Sequence, residues 1–176
     1  MTKPITQRDF HDVPDSRAQL LEMRANMMSS PRYAEDKQYA RFLESAPDFE
    51  PSELSEIVDG LFITSRDGVD AAMMASHFII NVTQKGELDT YYDAQISISP
   101  YDQTNIIRLK TLALMIKELL AANCPVTVHC SMGMERSVLT VAYYLHTEMD
   151  MSLDQAYATI VERRPIAFDR RDWAGL

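Results

Sequence analysis

The chain has 176 residues, 46% hydrophobic and 24% charged, a composition typical of a globular protein with one sizeable core. Its formal net charge of −9 argues against bulk binding to nucleic acid or to an anionic membrane, and no apolar run is long enough to span a bilayer. The first residues lack the apolar segment of a secretory signal, and two cysteines provide no disulfide framework. We therefore expect a cytoplasmic protein.

Residues 1–50 differ from the rest of the chain because they are polar and carry two stretches of apolar residues at helical spacing, 16–28 and 32–44. A helix-start signal at Asp15 precedes the first stretch, and prolines at both ends of 47–51 mark a linker. We expect a helical N-terminal extension over residues 1–50 that docks on the following domain. An arm that recruits a partner is the alternative.

From residue 51 onward, predicted strands alternate with predicted helices. The strands are 60–64, 77–83, 95–99 and 126–129, and the helices are 66–76, 104–122, 136–148 and 152–163. This order indicates an α/β fold in residues 51–176, with a central, mostly parallel sheet flanked by helices on both faces. Ligands bind such sheets at the carboxyl ends of the strands, which is where strand 126–129 ends.

Residues 129–137, with the sequence His-Cys-Ser-Met-Gly-Met-Glu-Arg-Ser, join that strand to a helix. Backbone N–H groups of such a loop and of the helix N-terminus converge on one point and can bind an anion. A thiol in this cradle, that of Cys130, should ionise readily, and Arg136 can grip two phosphate oxygens. The pattern points to a phosphate monoester hydrolase with a cysteine nucleophile, whose phosphate is held by Ser131, Met132, Gly133, Met134, Glu135 and Arg136.

Each residue of this pattern also has a simpler interpretation. Cys130 alone could be a small buried apolar residue, and Ser137 could be only a helix cap. Gly133 allows a sharp turn without a side chain in the path of the anion. Met132 and Met134 are expected to be exposed and to form an apolar rim, which suits an aryl phosphate.

The loop resembles the signature of the protein tyrosine phosphatases, most closely the dual-specificity branch, because five residues match in register: His129, Cys130, Gly133, Arg136 and Ser137. The resemblance extends over residues 56–173. It implies the cysteine phosphatase fold and a reaction without metal or cofactor. It also implies that His129 supports the loop rather than acting as a base, and that Ser137 assists breakdown of a phosphoenzyme.

The same resemblance places a mobile general acid after strand 95–99, and Asp102 stands at this point. Asp102 would protonate the leaving oxygen and then accept a proton from water. Its alternative role is to cap the helix that begins two residues later. Asp93 is the reserve candidate, although it precedes the strand.

Three other residues need comment. Glu135 stands where the family usually has a small residue; facing inward it would repel phosphate, and we expect it to face outward. Val138 replaces a proline that is common at the first turn of the helix, at little cost. Cys124 is expected to be a free thiol beside a turn rather than a redox partner of Cys130.

The sequence thus predicts a phosphatase that acts on phosphotyrosine and phosphoserine or phosphothreonine in proteins through a cysteinyl-phosphate. Its partner is a phosphorylated protein or a small phosphate monoester. One alternative is a non-protein substrate such as a phosphoinositide, a nucleotide or an RNA 5′ end. Two others are a catalytically weak phosphate-binding module and a rhodanese-like enzyme. The rhodanese group shares the cysteine–arginine loop but lacks an acid on a preceding loop, so the presence of Asp102 argues against it.

Overall fold

A five-stranded sheet is the centre of the fold in the computed structural model, which describes residues 14–30, 33 and 36–176. Its strands are β1 (Ser55–Val58), β2 (Leu61–Thr64), β3 (Phe78–Asn81), β4 (Ala94–Gln95) and β5 (Val126–His129). Their order across the sheet is β1-β2-β5-β3-β4, with only the β1–β2 pair antiparallel. The predicted α/β class with a mostly parallel sheet is confirmed.

The described residues contain six α-helices. They are α1 (Ser16–Met28), α2 (Lys37–Ser45), α3 (Val69–Met74), α4 (Asn105–Ala121), α5 (Arg136–Glu148) and α6 (Leu153–Arg163), with short 3-10 helices at Arg66–Gly68 and Arg171–Ala174. α1 and α5 have the bounds that the sequence predicts. The predicted helix 32–44 corresponds to α2, and residues 32, 34 and 35 of the prediction lie outside the described ones. None of the described helices is long and apolar enough to cross a membrane.

β1 is absent from the predicted elements, and β4 is shorter than the predicted strand 95–99. β1 has four residues and is joined to β2 by a tight turn at Gly60, whose φ is +76°. Beyond β4 the backbone still pairs with β3, because Ile96 N–H donates to Asn81 O over 3.1 Å. The Asn105 side-chain amide then donates to the Ser99 carbonyl over 2.7 Å, which draws the chain from the sheet edge into α4.

The core lies on both faces of the sheet, because consecutive strand residues point to opposite sides. Ile80 packs with α4, α5 and α6 in the main cluster, whereas its neighbour Ile79 packs with Val69 and Ala72 of α3. All four residues of β5 are buried. β5 is therefore fixed from both sides and both edges, and the loop that follows it starts from a rigid point.

A third apolar cluster joins the N-terminal helices to the loop after β5 and to the segment after α6. Its fully buried members are Leu20 of α1, Phe42 and Ala46 at α2, Met134, Ile166 and Phe168. Arg41 of α2 adds polar ties, since its Nε donates to Pro165 O over 2.9 Å. α1 and α2 are thus packed on the domain.

Candidate active site

The cysteine loop, residues 130–136, connects the buried strand β5 to the first residue of α5. β5 lies between the parallel strands β2 and β3, so the loop emerges at the carboxyl edge of the sheet. Arg66 N–H, just beyond β2, donates to Ser131 O over 3.1 Å and holds the start of the loop. The sequence predicts this strand–loop–helix junction at the same residues.

The thiol of Cys130 is almost completely buried, with 3% exposure, and its Sγ lies 3.3 Å from Ser137 Oγ. Burial by itself raises the pKa of Cys130. The Arg136 charge, the Ser137 hydroxyl and the N–H groups of Ser137 and Gly133 outweigh it, so the pKa ends below that of an ordinary thiol. The loop therefore favours a thiolate, the nucleophilic form of cysteine.

The guanidinium of Arg136 is held by a carboxylate on another loop. Its two Nη atoms donate to Glu87 over 2.7 and 2.6 Å in a bidentate pair. Because a guanidinium carries five N–H donors, three remain for a phosphoryl group. The hydrogen bond from Arg136 holds the pKa of Glu87 below its usual range, so Glu87 stays ionised. Glu87 fixes the orientation of the arginine without using all of its donors.

A second arginine, Arg164, donates hydrogen bonds to the loop carbonyls. It is fully buried at the end of α6. Its Nε donates to Gly133 O over 2.5 Å and its Nη2 to Met132 O over 3.1 Å. Other donors of Arg164 reach Pro51 O over 2.9 Å and Ser55 Oγ over 3.0 Å. Burial lowers the pKa of Arg164 to about 10, which leaves it charged at neutral pH. Because Arg164 binds the loop carbonyls, the N–H groups of the loop are left to point toward Cys130.

Gly133 is required at its position for two separate reasons. Its φ is +67°, a conformation that side chains disfavour. A Cβ at this position would also collide with the Arg164 guanidinium and the Thr64 carbonyl. The predicted role of Gly133 in a sharp turn fits both observations.

Ser131, the residue after the cysteine, is tied to the N-terminal helices through Arg66. Nη1 of Arg66 donates to Ser131 Oγ over 3.2 Å and to Gln19 Oε1 of α1 over 3.3 Å. Only 11% of the Arg66 side chain is exposed. α1 is therefore linked to the cysteine loop by a polar bridge as well as by the apolar cluster.

The Glu135 carboxylate pairs with an arginine of the C-terminal segment. Its Oε1 accepts from Arg170 Nε over 2.8 Å and from Arg170 Nη2 over 2.6 Å. The Arg170 guanidinium also lies 5.2 Å from the Phe168 ring centroid and 5.5 Å from that of Trp173. The ion pair neutralises a carboxylate that would otherwise repel phosphate, which agrees with the expectation that Glu135 does not oppose phosphate binding.

The two methionines of the loop, Met132 and Met134, are less exposed than the sequence predicts. Met134 is 2% exposed because Leu20, Phe42 and Phe168 pack around it, and Met132 is only half-buried against the same cluster. Both still line the pocket of about 100 Å³ above Cys130. The expectation of two exposed methionines is therefore wrong for Met134, since the N-terminal helices cover it.

Asp102 lies in the loop before α4 and is engaged in local contacts. Its Oδ1 accepts from Thr104 N–H over 2.8 Å and from Thr104 Oγ1 over 2.7 Å, and its Oδ2 lies 3.2 Å from Arg108 Nη1. The Thr104 hydrogen bonds lower the pKa of Asp102, with a further contribution from Arg108. In this arrangement Asp102 organises the turn into α4, as its alternative role suggested, and its part in proton transfer stays a prediction.

The reserve candidate Asp93 has a structural role, because its Oδ2 accepts a hydrogen bond from Ile79 N–H over 2.8 Å.

His129 is fully buried, and burial lowers the pKa of His129 to about 4, so its ring is neutral. Both cysteines are free thiols, and Cys124 is half-buried next to Pro125. In the described part of the chain, no three His, Cys, Asp or Glu residues lie close enough together to bind a metal ion.

Three residues of the site could not be found from the sequence pattern: Glu87, Arg164 and Arg66. Glu87 and Arg66 lie in polar stretches after other strands, and only the order β2-β5-β3 brings them beside the cysteine loop. Arg164 stands among charged residues at the end of a helix, where an exposed arginine is the usual expectation. The one local signal in the sequence is Pro165, because a helix usually ends at the residue before a proline, here Arg164.

Residues 64–173 match the family described as "Dual specificity phosphatase, catalytic domain". The human protein "Dual specificity protein phosphatase 9" is 31% identical over 121 residues, which is 62% of this chain and 31% of that protein. The chain therefore spans about a third of the length of this relative.

Solved structures show the same fold at low sequence identity. Human DUSP28 aligns with a TM-score of 0.59 and 19% identity, over 71% of this chain and 88% of that one. PTPMT1, solved in complex with PI(5)P, aligns with a TM-score of 0.56 and 18% identity, over 66% and 86%. Because the family match covers more than half of the residues and includes the whole cysteine loop, this chain belongs to the dual specificity phosphatase family.

Proposed function

We propose that this chain hydrolyses phosphate monoesters of proteins, phosphotyrosine and phosphoserine or phosphothreonine, through a cysteinyl-phosphate. The observation that carries this proposal is the Cys130 thiol, whose pKa is lowered in a loop that also presents Arg136. A reactive thiolate is easily oxidised, which favours a reducing compartment, and we place the activity in the cytoplasm.

In the first half of the reaction, Cys130 Sγ attacks phosphorus and the bond from phosphorus to the ester oxygen breaks. The N–H donors of Arg136 that Glu87 leaves free, together with the loop N–H groups, follow the charge on the equatorial oxygens. Asp102 donates its proton to the leaving oxygen. For this step its carboxyl must leave the Thr104 contacts, so we propose that the loop before α4 moves when substrate binds.

In the second half, water attacks phosphorus, Asp102 accepts a proton from it, and the sulfur–phosphorus bond breaks. The departing thiolate is stabilised by the Ser137 hydroxyl, which already lies 3.3 Å from Sγ. Inorganic phosphate and the free thiolate are the products. No metal or cofactor takes part in this scheme.

A phosphoinositide is the second candidate substrate, because the structural neighbour PTPMT1 is described in complex with PI(5)P. We favour protein substrates because the cysteine loop contains no lysine that would meet further phosphates of an inositol ring. Methionine side chains in the pocket suit the ring of phosphotyrosine instead.

The test is hydrolysis of p-nitrophenyl phosphate and of a phosphotyrosine peptide with EDTA present, by wild type, Cys130→Ser and Asp102→Asn. We expect no turnover by Cys130→Ser and a fall of about 10²-fold for Asp102→Asn on the peptide. Asp89→Asn is the matched control, since Asp89 is an exposed acid outside the cysteine loop and the loop before α4. Full activity of Asp102→Asn on the peptide would remove Asp102 from the mechanism, and an inert wild type would refute the proposal.

A further inference from the structure

The pocket above Cys130 has one wall that the cysteine loop does not provide. Its lining residues are Met23, Cys130, Ser131, Met132, Met134, Glu135 and Arg136. All of them belong to residues 130–136 except Met23, which lies in the middle of α1. α1 is outside residues 64–173, the part of the chain that matches the family. The pocket is therefore completed by an element from outside the matched residues.

Contacts on both sides of Met23 hold α1 against neighbouring elements. At the N-terminus of the helix, Ser16 Oγ lies 2.9 Å from Ser65 Oγ, just beyond β2. On the other side of Met23, Arg24 Nε donates to Leu43 O of α2 over 2.8 Å. Met23 is thus presented to the pocket by a fixed helix.

Leu20, one turn before Met23 and Arg24, anchors α1 beside the cysteine loop. Its side chain is fully buried in the apolar cluster that also contains Met134. Met23 itself is half-buried and packs against the edge of the same cluster. Its thioether therefore has a defined place at the mouth of the pocket.

A second cavity of about 230 Å³ lies next to the pocket and shares two of its residues. It is lined by Gln19, Glu22, Met23, Asn26 and Met132. Residues three, four and seven apart share one face of a helix, so Gln19, Glu22 and Asn26 present a polar surface beside Met23. Met23 and Met132 form a ridge between the two cavities.

The second cavity combines two methionine side chains with one acidic side chain, that of Glu22. Glu22 is exposed, and no hydrogen bond or ion pair to it is found among the described residues. Gln19 and Asn26 add amide groups that can bind either a donor or an acceptor. An unpaired carboxylate in a chain with a net charge of −9 attracts a cation and repels an anion.

We propose that α1 is the substrate-selecting wall of the active site. Met23, with Met132, packs on the ring of a phosphotyrosine whose phosphate lies on the cysteine loop. The cavity beyond the ridge takes a neighbouring side chain of the same peptide, and Glu22 selects lysine or arginine there. This inference rests on the proposed function for its substrate class, and it adds a specificity site outside the matched family residues.

The test measures binding in a Cys130→Ser background, which does not depend on turnover. Two phosphotyrosine peptides are compared, one with lysines and one with glutamates beside the phosphotyrosine. We expect the lysine peptide to bind more tightly by about fivefold, and Glu22→Lys to remove or reverse this preference. Glu44→Lys, an exposed acid on α2, makes the same charge change away from the cavity and should retain the preference.

Met23→Ala should weaken binding of both peptides by about fivefold, because it removes the contact with the ring. Met28→Ala is the matched control, since Met28 is 60% exposed on the same helix and lies outside the lining of the two cavities. Circular dichroism of all variants shows whether α1 keeps its helix.

Equal binding of the two peptides, or equal effects of Glu22→Lys and Glu44→Lys, would overturn the inference. So would binding to vesicles containing a phosphoinositide without binding to either peptide. Turnover of p-nitrophenyl phosphate by wild type is read separately. If it persists while the peptide preference is absent, the proposed function stands and only the role of α1 is wrong.

Discussion

At the scale of single residues, the reactivity of Cys130 depends on a balance between burial and local positive charge. Burial alone would keep the thiol protonated, and the Arg136 charge with the hydrogen bonds from Ser137 and Gly133 reverses the effect. In the proposed mechanism, Arg136 and the loop N–H groups that lower the pKa of the thiol also hold the phosphoryl group. Activation of the nucleophile and binding of the substrate would then share these groups.

The rate of alkylation by iodoacetamide should show the lowered pKa of Cys130. Because the thiolate is the reactive form, labelling should stay fast as the pH falls below the value of about 8.5 of an ordinary thiol, and should slow only below the lowered pKa. Arg136→Gln should move this midpoint to higher pH. A Cys124→Ser background removes the other thiol, and an identical midpoint with and without Arg136 would contradict this explanation.

In the proposed mechanism, Glu87 acts through Arg136 as a positioning residue. Glu87→Gln keeps one acceptor but loses the charged bidentate pair, so the guanidinium should lose its fixed orientation. We expect kcat to fall by about tenfold with a smaller change in KM. Asp89→Asn, two residues further on, is the control. An unchanged kcat in Glu87→Gln would show that Arg136 is positioned without this carboxylate.

At the scale of elements, the cysteine loop is shaped by contacts behind it. Arg164 at the end of α6 binds loop carbonyls, and its other acceptors lie in β1, in β2 and in the segment 51–53 before β1. The loop, α6 and β1 are therefore joined at one buried guanidinium. In the proposed mechanism, Arg164 directs the loop N–H groups that bind phosphate, and the substrate need not touch this arginine.

Arg164→Met should destabilise the fold, because it leaves several buried carbonyls without donors. We expect the free energy of unfolding to fall by about 3 kcal/mol or more in urea titrations. Arg163→Met changes the adjacent, exposed arginine and should have little effect. Equal losses in both variants would contradict the role assigned to Arg164.

The N-terminal helices α1 and α2 also pack together as a unit beside the cysteine loop. Phe42 of α2 lies 5.4 Å from Phe168 between ring centroids, and Leu20 of α1 is buried in the same cluster. This cluster covers Met134, so the helices form part of the wall behind the cysteine loop. Apolar spacing predicted the helices, but it did not show which surface they would cover.

At the scale of the whole molecule, the parts predicted from sequence are those encoded by neighbouring residues. The strand, loop and helix around Cys130 follow from one continuous stretch, and the bounds of α1 and α5 follow from apolar spacing. Glu87 and Arg164 are distant in sequence and meet the loop only after the sheet has formed in the order β1-β2-β5-β3-β4, and Met23 meets it only after α1 has docked. The burial of Met134 has the same origin, because it depends on where α1 and α2 dock.

A cysteinyl-phosphate on Cys130 can be detected by trapping it during turnover. Wild type and Ser137→Ala are mixed with a phosphotyrosine peptide, quenched with acid within milliseconds, and analysed by mass spectrometry of the fragment that contains Cys130. We expect one phosphate on Cys130, in larger amount in Ser137→Ala, because the hydroxyl that stabilises the departing thiolate is lost. Turnover without phosphate on Cys130 in either protein would contradict this expectation.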